Sequence, residues 1–514
     1  MIRDLRNLRR VVAIVRTLAA HDALFPLRKA GLSPGAIRAL APLLGVRRRR
    51  SGGREGERLA AALHALGPSF IKLGQALSVR PDLVGDAIAD DLSALQDRLP
   101  PFPAAEARAA IEAEFGGPLS ALFAWFDDEP VAAASIAQVH FAVTSEGEEV
   151  AVKVLRPGIE EAFSRDIELL RWLAELVERR APGLRRLRPV ETVETIAESV
   201  AVEMDLRLEA AAGDELRANF AGDSTFRVPR MDWARTGHRV LTCERMRGIP
   251  VDEKALLMAA GHDIPAIIAN MARVFFLQVF RDGFFHADLH PGNLLVAGDG
   301  AMVALDFGIM GRIDKRTRQY LAEMLIGFLT ADYRRVAEVH IRAGYVPADQ
   351  SVDAFAQAAR SIAEPIFGLP LGEISLARLL AQLFRVTERF RMTTQPQLLL
   401  LQKTMLVAEG VGRRLHPGTN MWELARPLIE QWMADHMTPE ARAAAALEEA
   451  GRTIERLPAL IAVMEETVGR FSRGGLKLHP DTVSALTGRD RPRPARWPWL
   501  AGAAVVAGLL WAVL

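Results

Sequence analysis

Residues Phe285 to Gly308 read FHADLHPGNLLVAGDGAMVALDFG. The apolar runs Leu294–Val296 and Met302–Leu305 have the length and composition of short strands, and Gly298-Asp299-Gly300 between them is a hairpin turn signal. The stretch is therefore a loop, a β-hairpin and a second loop, with Asp288 on the first loop, Asn293 at the hairpin's entry and Asp306 on the second. Phosphoryl transfer needs such a layout. One carboxylate orients or deprotonates the attacking hydroxyl, an amide oxygen helps to hold a metal, and a second carboxylate chelates the metal that bridges the phosphates.

An Asp-Phe-Gly triplet alone is a weak signal, because Asp and Gly are common at strand ends. Here His286-Ala-Asp288 is followed by Asn293 five residues after the aspartate and by Asp306-Phe-Gly thirteen after the asparagine. Order, type and spacing together match the H-R-D-x-x-x-x-N … D-F-G pattern of kinases.

Upstream, the run Val131–His140 continues through Phe141–Val143. A turn follows at Ser145-Glu146-Gly147, and then Glu149-Val-Ala-Val-Lys153-Val. Two strands, a hairpin and a lysine within Val-Ala-Val-Lys match the kinase strand whose lysine contacts the α- and β-phosphates. A lone strand lysine is usually a solvent-facing residue, but the apolar flanks of Lys153 predict burial beside a counter-charge. Residues 159–221 carry helical patterns, broken at Pro182-Gly183. Glu198 and Glu203 are the candidates for the helix carboxylate that pairs with Lys153, and the sequence does not choose between them. Two more strands are expected at Phe226–Val228 and Arg239–Cys243. Glu244-Arg-Met246 then falls where a kinase hinge offers backbone groups to adenine. Residues 265–284 form a strongly apolar helix leading into the opening stretch.

Further towards the N-terminus, residues 55–98 have helical pattern, with Pro68 and Ser69 as a helix start. Lys72 and Gln75 lie three apart and share a helix face. Residues 1–50 are arginine-rich and helical, ending in Arg47–Arg50 and Ser51-Gly-Gly53, which reads as a solvated linker. Beyond Gly308 the pattern is helical to about Arg473, with no Ala-Pro-Glu. Trp497–Leu514 has 18 residues and no charge, follows Arg489, Arg491, Arg493 and Arg496, and carries Trp497, Trp499 and Trp511 near its ends. These features predict a C-terminal membrane anchor with the rest of the chain on the cytoplasmic side.

Composition sets the outer limits. With 514 residues, 50% hydrophobic and 25% charged, the chain is globular and long enough for several domains. A net charge of +1 argues against a dedicated nucleic-acid binder. Cys243 is the single cysteine, so no intrachain disulfide forms, and a buried small side chain is its simplest reading.

On Lys72-Leu-Gly-Gln75, Ala132-Ala133-Ala134-Ser135, Val-Ala-Val-Lys153, Glu203-Met-Asp205 with Glu209-Ala210, His286–Asn293 and Asp306-Phe-Gly308, the chain resembles the UbiB/ADCK family of atypical, protein-kinase-like proteins. The resemblance covers roughly residues 60–420 and implies an α+β, two-lobed kinase-like fold with an N-terminal helical extension. The expected divisions are 1–54 (basic helical segment), 55–122 (extension), 123–247 (N-lobe), 248–480 (helical C-lobe), 481–496 (basic linker) and 497–514 (transmembrane helix).

The resemblance also implies ATP and Mg2+ binding and a role in ubiquinone biosynthesis at the inner membrane. Partners would be membrane lipid or quinone precursors and the other biosynthetic proteins, with no nucleic acid and with self-association left open. Family members carry the name 2-polyprenylphenol 6-hydroxylase component; no flavin or iron motif accompanies it here, so the name reads as a pathway label. By resemblance, Asp288 is the catalytic base, and Asn293 and Asp306 are metal ligands. Lys153, the Ala132–Ser135 loop, Glu244 and Met246 would contact ATP. Lys72 and Gln75 would face Glu203 and Asp205 and occlude the cleft.

Three departures from ordinary kinases stand out: alanines in place of the glycine-rich loop, Ala287 in place of the arginine, and the missing Ala-Pro-Glu. They point to ATP hydrolysis or small-lipid phosphorylation rather than protein phosphorylation. The alternative is a non-enzymatic ATP-binding scaffold or lipid-extracting chaperone.

Overall fold

Side-chain alternation builds the first sheet. The computed structural model describes residues 2–25, 53–78, 84–93, 100–180, 189–365, 386–387, 389–392, 396–419 and 421–436. Ahead of the sheet come helices α1 (Ile2–Ala20), α2 (Glu55–Leu66), α3 (Pro68–Ser78), α4 (Asp86–Ser93) and α5 (Ala104–Phe115). The sheet consists of β1 (Phe123–Phe126), β2 (Ala132–Ala133), β3 (Ala137–Thr144), β4 (Glu149–Leu155) and a later strand, Val240–Glu244. In β4 the even-numbered valines Val150, Val152 and Val154 are buried against Phe102, Ala107 and Ile111 beneath α5. The period of two then turns Ala151 and Lys153 to the opposite face.

That opposite face is covered by helices. After β4 come α6 (Ile159–Arg180), α7 (Pro189–Glu203) and α8 (Leu206–Asn219). Leu206, Glu209, Ala210, Gly213 and Leu216 form the buried side of α8 at helical spacing. α1 to α4 pack on α6 and α7 in a cluster of their own, with Val11, Ile14, Val15, Leu18, Leu59, Leu63, Leu73 and Leu92 meeting Leu169, Leu173 and Val193.

The second half starts with β5 (Phe226–Arg227), β6 (Val240–Glu244), β7 (Ile249–Pro250) and helix α9 (Ile264–Phe276). The apolar helix expected at 265–284 thus ends its α-geometry early and finishes as a π-turn, Leu277–Asp282. β8 (Phe284–His286), β9 (Leu294–Val296), β10 (Met302–Ala304) and β11 (Met310–Arg312) follow. β9 and β10 are the expected antiparallel hairpin, turning at Gly300 with φ 85°. β5 joins this hairpin in parallel with β10, not the sheet of β6. Helices α10 (Lys315–Leu329), α11 (Tyr333–Arg342), α12 (Val352–Ala363), α13 (Pro396–Leu415) and α14 (Met421–His436) complete the described chain.

The predicted anchor at 497–514, the linker at 481–496 and all but Gly53 of the linker at 47–53 lie outside the described residues. Among the described residues one helical stretch is long and apolar enough to cross a membrane, Ile264–Asp282. Half of it is buried, and Ile267, Ile268, Met271 and Val274 belong to the central core, so it is a core helix.

Candidate active site

Sheet register places the N-terminal half of the site. Ala132 pairs with Val139, Val139 with Lys153, and Lys153 with Leu241, so the alanine-rich loop turns at the level of the lysine. None of residues 132–135 takes a positive φ, so the alanines fit without strain. Ala132 is exposed, Ala133 and Ala134 are half-buried, and Ser135 is fully buried. Glu244 ends β6 exposed, and Met246 packs beyond it against Leu295, Ala297 and Val303 of the hairpin.

Lys153 is held by two carboxylates. Its Nζ lies 2.7 and 2.9 Å from the oxygens of Glu209 and 3.1 Å from Asp306 Oδ2. Neither carboxylate proposed from the sequence fills this role. Glu198 is exposed on α7. Glu203, the last residue of α7, pairs instead with Lys72 at 2.8 Å. Glu209 was open to detection, because it is the one carboxylate on the buried period of α8. Asp205 caps that helix, accepting a hydrogen bond from the Arg207 N–H at 3.1 Å and binding the Arg207 guanidinium. The Glu203-Met-Asp205 motif therefore fastens α3 with its first member and starts the Glu209 helix with its last. Gln75 sits half-buried on α3, one turn from Lys72.

Charge follows from this geometry. Burial works against the Lys153 cation, but Asp306 and Glu209 raise its pKa above the ordinary lysine value. Burial lifts the Glu209 carboxyl, Lys153 pulls it back, and the Asp306 charge pushes it up again, leaving it at about 7. For Asp306 burial is again the opposing influence, outweighed by Lys153 and the Gly308 N–H, so its pKa falls well below the carboxylate range. Asp306 occupies the left-handed region at φ 56° and accepts the Gly308 N–H at 3.1 Å. Burial pushes the thiol of the half-buried Cys243 up to about 12.

The first loop is fixed through its backbone. The Asp288 N–H donates to His286 Nδ1 at 3.1 Å, and its carbonyl accepts from the His290 N–H at 2.7 Å and Asn293 Nδ2 at 3.1 Å. His286 is fully buried, and burial lowers its pKa. Its neutral ring accepts at Nδ1 and faces the Leu305 carbonyl with Nε2 at 3.3 Å. The π-turn aims Gln278 at this loop, where its Oε1 accepts the His286 N–H at 2.9 Å. Ala287 is fully buried among apolar residues. The cation beside Asp288 comes from elsewhere: Lys403 Nζ on α13 lies 3.0 Å from Asp288 Oδ1. Nothing in the sequence signalled Lys403, because the pair is separated by 115 positions and no motif links them.

Asn293 and Asp306 suit magnesium that arrives with a nucleotide. Magnesium takes one or two protein ligands plus phosphate oxygens, not a full protein cage. Among the described residues no group of three or more His, Cys, Asp or Glu is arranged to hold a metal. The Asn293 Nδ2 is engaged at Asp288, so its Oδ1 is the atom that could bind a metal.

A lysine joined at once to a helix glutamate and to the Asp of Asp-Phe-Gly, opposite an Asp/Asn loop, defines a protein-kinase-like site. Sequence comparison agrees: residues 94–340 match the ABC1 atypical kinase-like domain and 359–420 the UbiB helical domain. The chain is 42% identical over 471 residues to an Aeromonas hydrophila protein named "Probable protein kinase UbiB", covering 91% of this chain and 86% of that one. It is 46% identical over 418 residues to the protein of that name from Xylella fastidiosa, covering 80% and 74%. Among solved structures, Rv3197 from Mycobacterium tuberculosis, determined with erythromycin, superposes with TM-score 0.53 at 25% identity, over 76% of this chain and 98% of that one. The chain belongs to the UbiB family of atypical kinase-like proteins.

Proposed function

We propose that the chain is an ATP-dependent phosphotransferase or ATPase that supports ubiquinone synthesis at the membrane. The observation that carries the reading is Lys153 bound simultaneously to Glu209 and Asp306, the assembled form of a kinase site. Lys153 binds the α- and β-phosphates, and the hinge at Glu244–Met246 and the Ala132–Ser135 loop flank the nucleotide. Asp288, its backbone pinned on three sides, orients the acceptor hydroxyl or water and takes its proton. Magnesium held by Asn293 and Asp306 would neutralise charge on the phosphates. The role in quinone synthesis is supported by the relatives' shared name and by the motif set, and the uncharged run at 497–514 supports membrane attachment.

Lys72 and Glu203, with side chains only 13% and 20% exposed, tie the extension to the chain just before the Glu209 helix. That closure favours water or a small lipid over a peptide as acceptor.

The test is magnesium-dependent ATP turnover and ATP-induced thermal stabilisation of the purified chain. Asp306→Asn should lower turnover by about 10²-fold or more, the scale for losing one charge-stabilising group. A wild-type chain with no nucleotide-dependent stabilisation, and a variant indistinguishable from it, would refute the reading.

A further inference from the structure

We propose that Lys403 is a catalytic residue of this site, contributed by the helical segment that follows the kinase-like domain. The inference rests on the phosphoryl-transfer reading above and adds a group to it. The loop from Asp288 to Asn293 reads DLHPGN and holds no lysine or arginine. His290 Nδ1 accepts the Gly292 N–H at 3.2 Å, which engages that ring within its own loop. The position before Asp288 is a buried alanine. The ammonium at the base is therefore the Lys403 Nζ, 3.0 Å from Asp288 Oδ1.

The placement is fixed from both ends. Leu401, Ala408, Val411 and Leu415 bury one side of α13, and Leu401 packs in the cluster that contains Phe285 and Ala287. Thr404 is fully buried, with its hydroxyl donating to the Leu400 carbonyl at 2.9 Å. Lys403 sits beside that buried side and stays about one-third exposed, as does Asp288. An ion pair this open contributes little to stability. Stability is thus a poor reason for carrying it, whereas an ammonium with two further N–H donors beside the base is well placed for a group whose charge spreads over three equatorial oxygens in transit.

In the step, the acceptor oxygen bonds to the γ-phosphorus. The bond to the β,γ-bridging oxygen breaks with its electron pair leaving on ADP, and the acceptor proton passes to Asp288. Lys403 gives up no proton. It holds Asp288 with one N–H and the moving phosphoryl group with the others.

The test uses the full chain with Lys403→Met, Lys403→Arg, and Lys403→Met combined with Asp288→Asn. Lys403→Met should lower kcat about 10²- to 10³-fold, the cost of one donor aimed at developing charge. KM for ATP and the ATP-induced thermal shift should stay within about twofold, because the interaction belongs to the transition state. Lys403→Arg should recover about tenfold or more of the lost rate, and the double variant should be no slower than the slower single one, as expected for groups acting as a unit. A kcat within about threefold of wild type, or loss of the ATP-induced shift in Lys403→Met, would overturn the proposal. Failure of the wild-type chain to bind or turn over nucleotide would instead strike the reading beneath it.

Discussion

Two carboxylates share one ammonium at the centre of the site, and the excess negative charge has a consequence in pH. Glu209 holds its proton up to about 7, against 4.5 for an ordinary glutamate. The folded chain therefore keeps a proton that the unfolded chain has released. The stability this contributes is fully present below about 4.5 and is lost as pH rises through about 7. Activity runs the other way, since Glu209 is the full counter-charge of Lys153 only once ionised. A profile of kcat/KM for ATP should rise through about 7, and Glu209→Gln should remove that limb and lower the rate about tenfold or more. An unchanged limb in the variant would assign it to another group. At this scale the placement of Lys153 beside Asp306, and of Asp288 and Asn293 on one loop, was legible, because each sits inside a spaced motif. Glu209 stood among the motif residues, as Glu209-Ala210, but only its place on the buried period of α8 distinguishes it as the partner of Lys153, and Lys403 was invisible, because tertiary folding alone brings α13 to the loop.

Glycine decides how closely α8 approaches the Asp-Phe-Gly loop. A Cβ built at Gly213 would stand 2.8 Å from Phe307 Cδ2 and would also strike the Met231 side chain. Phe307 in turn packs on His286, with ring centroids 5.9 Å apart, and donates its N–H to Glu209 at 3.4 Å. Gly213→Val should push α8 outward, cost about 1–3 kcal/mol by overpacking, and shrink the ATP-induced thermal shift as Glu209 leaves Lys153. Thermal melts with and without magnesium-ATP check both effects; retention of the full shift would disconnect the contact from the site. The hairpins of β3–β4 and β9–β10 were readable from period and turn residues. The sheet that β5 joins was not, because a two-residue strand carries no register information and its partner β10 lies on the other side of the catalytic loop.

At the scale of the whole molecule the extension is fastened to the kinase-like core by a few charged contacts over an apolar cluster. Arg10 grips Asp166 on α6 through Nε and Nη2 of one guanidinium edge, at 3.2 and 3.0 Å, and Asp166 is buried. Arg10→Ala leaves that carboxylate unpaired and should lower stability by about 1–3 kcal/mol. Chemical denaturation reads the loss, and ATP turnover measured well below the midpoint should stay near wild type. The two-lobed order and the helical extension were legible, since motif order and the switch of period from 3.6 to 2 are both sequence properties. Which helices the extension would rest on was not, because an amphipathic face specifies only that it will be covered.

The Arg10–Asp166 contact spans 156 positions, which fixes a waiting time during synthesis. At about 5–20 residues per second, roughly 8 to 30 seconds separate the emergence of the two partners from the ribosome. Through that interval Val11, Ile14, Val15 and Leu18 await the α6 leucines that complete their cluster. The nascent chain thus carries a basic amphipathic helix whose apolar cluster stays incomplete until the α6 residues arrive.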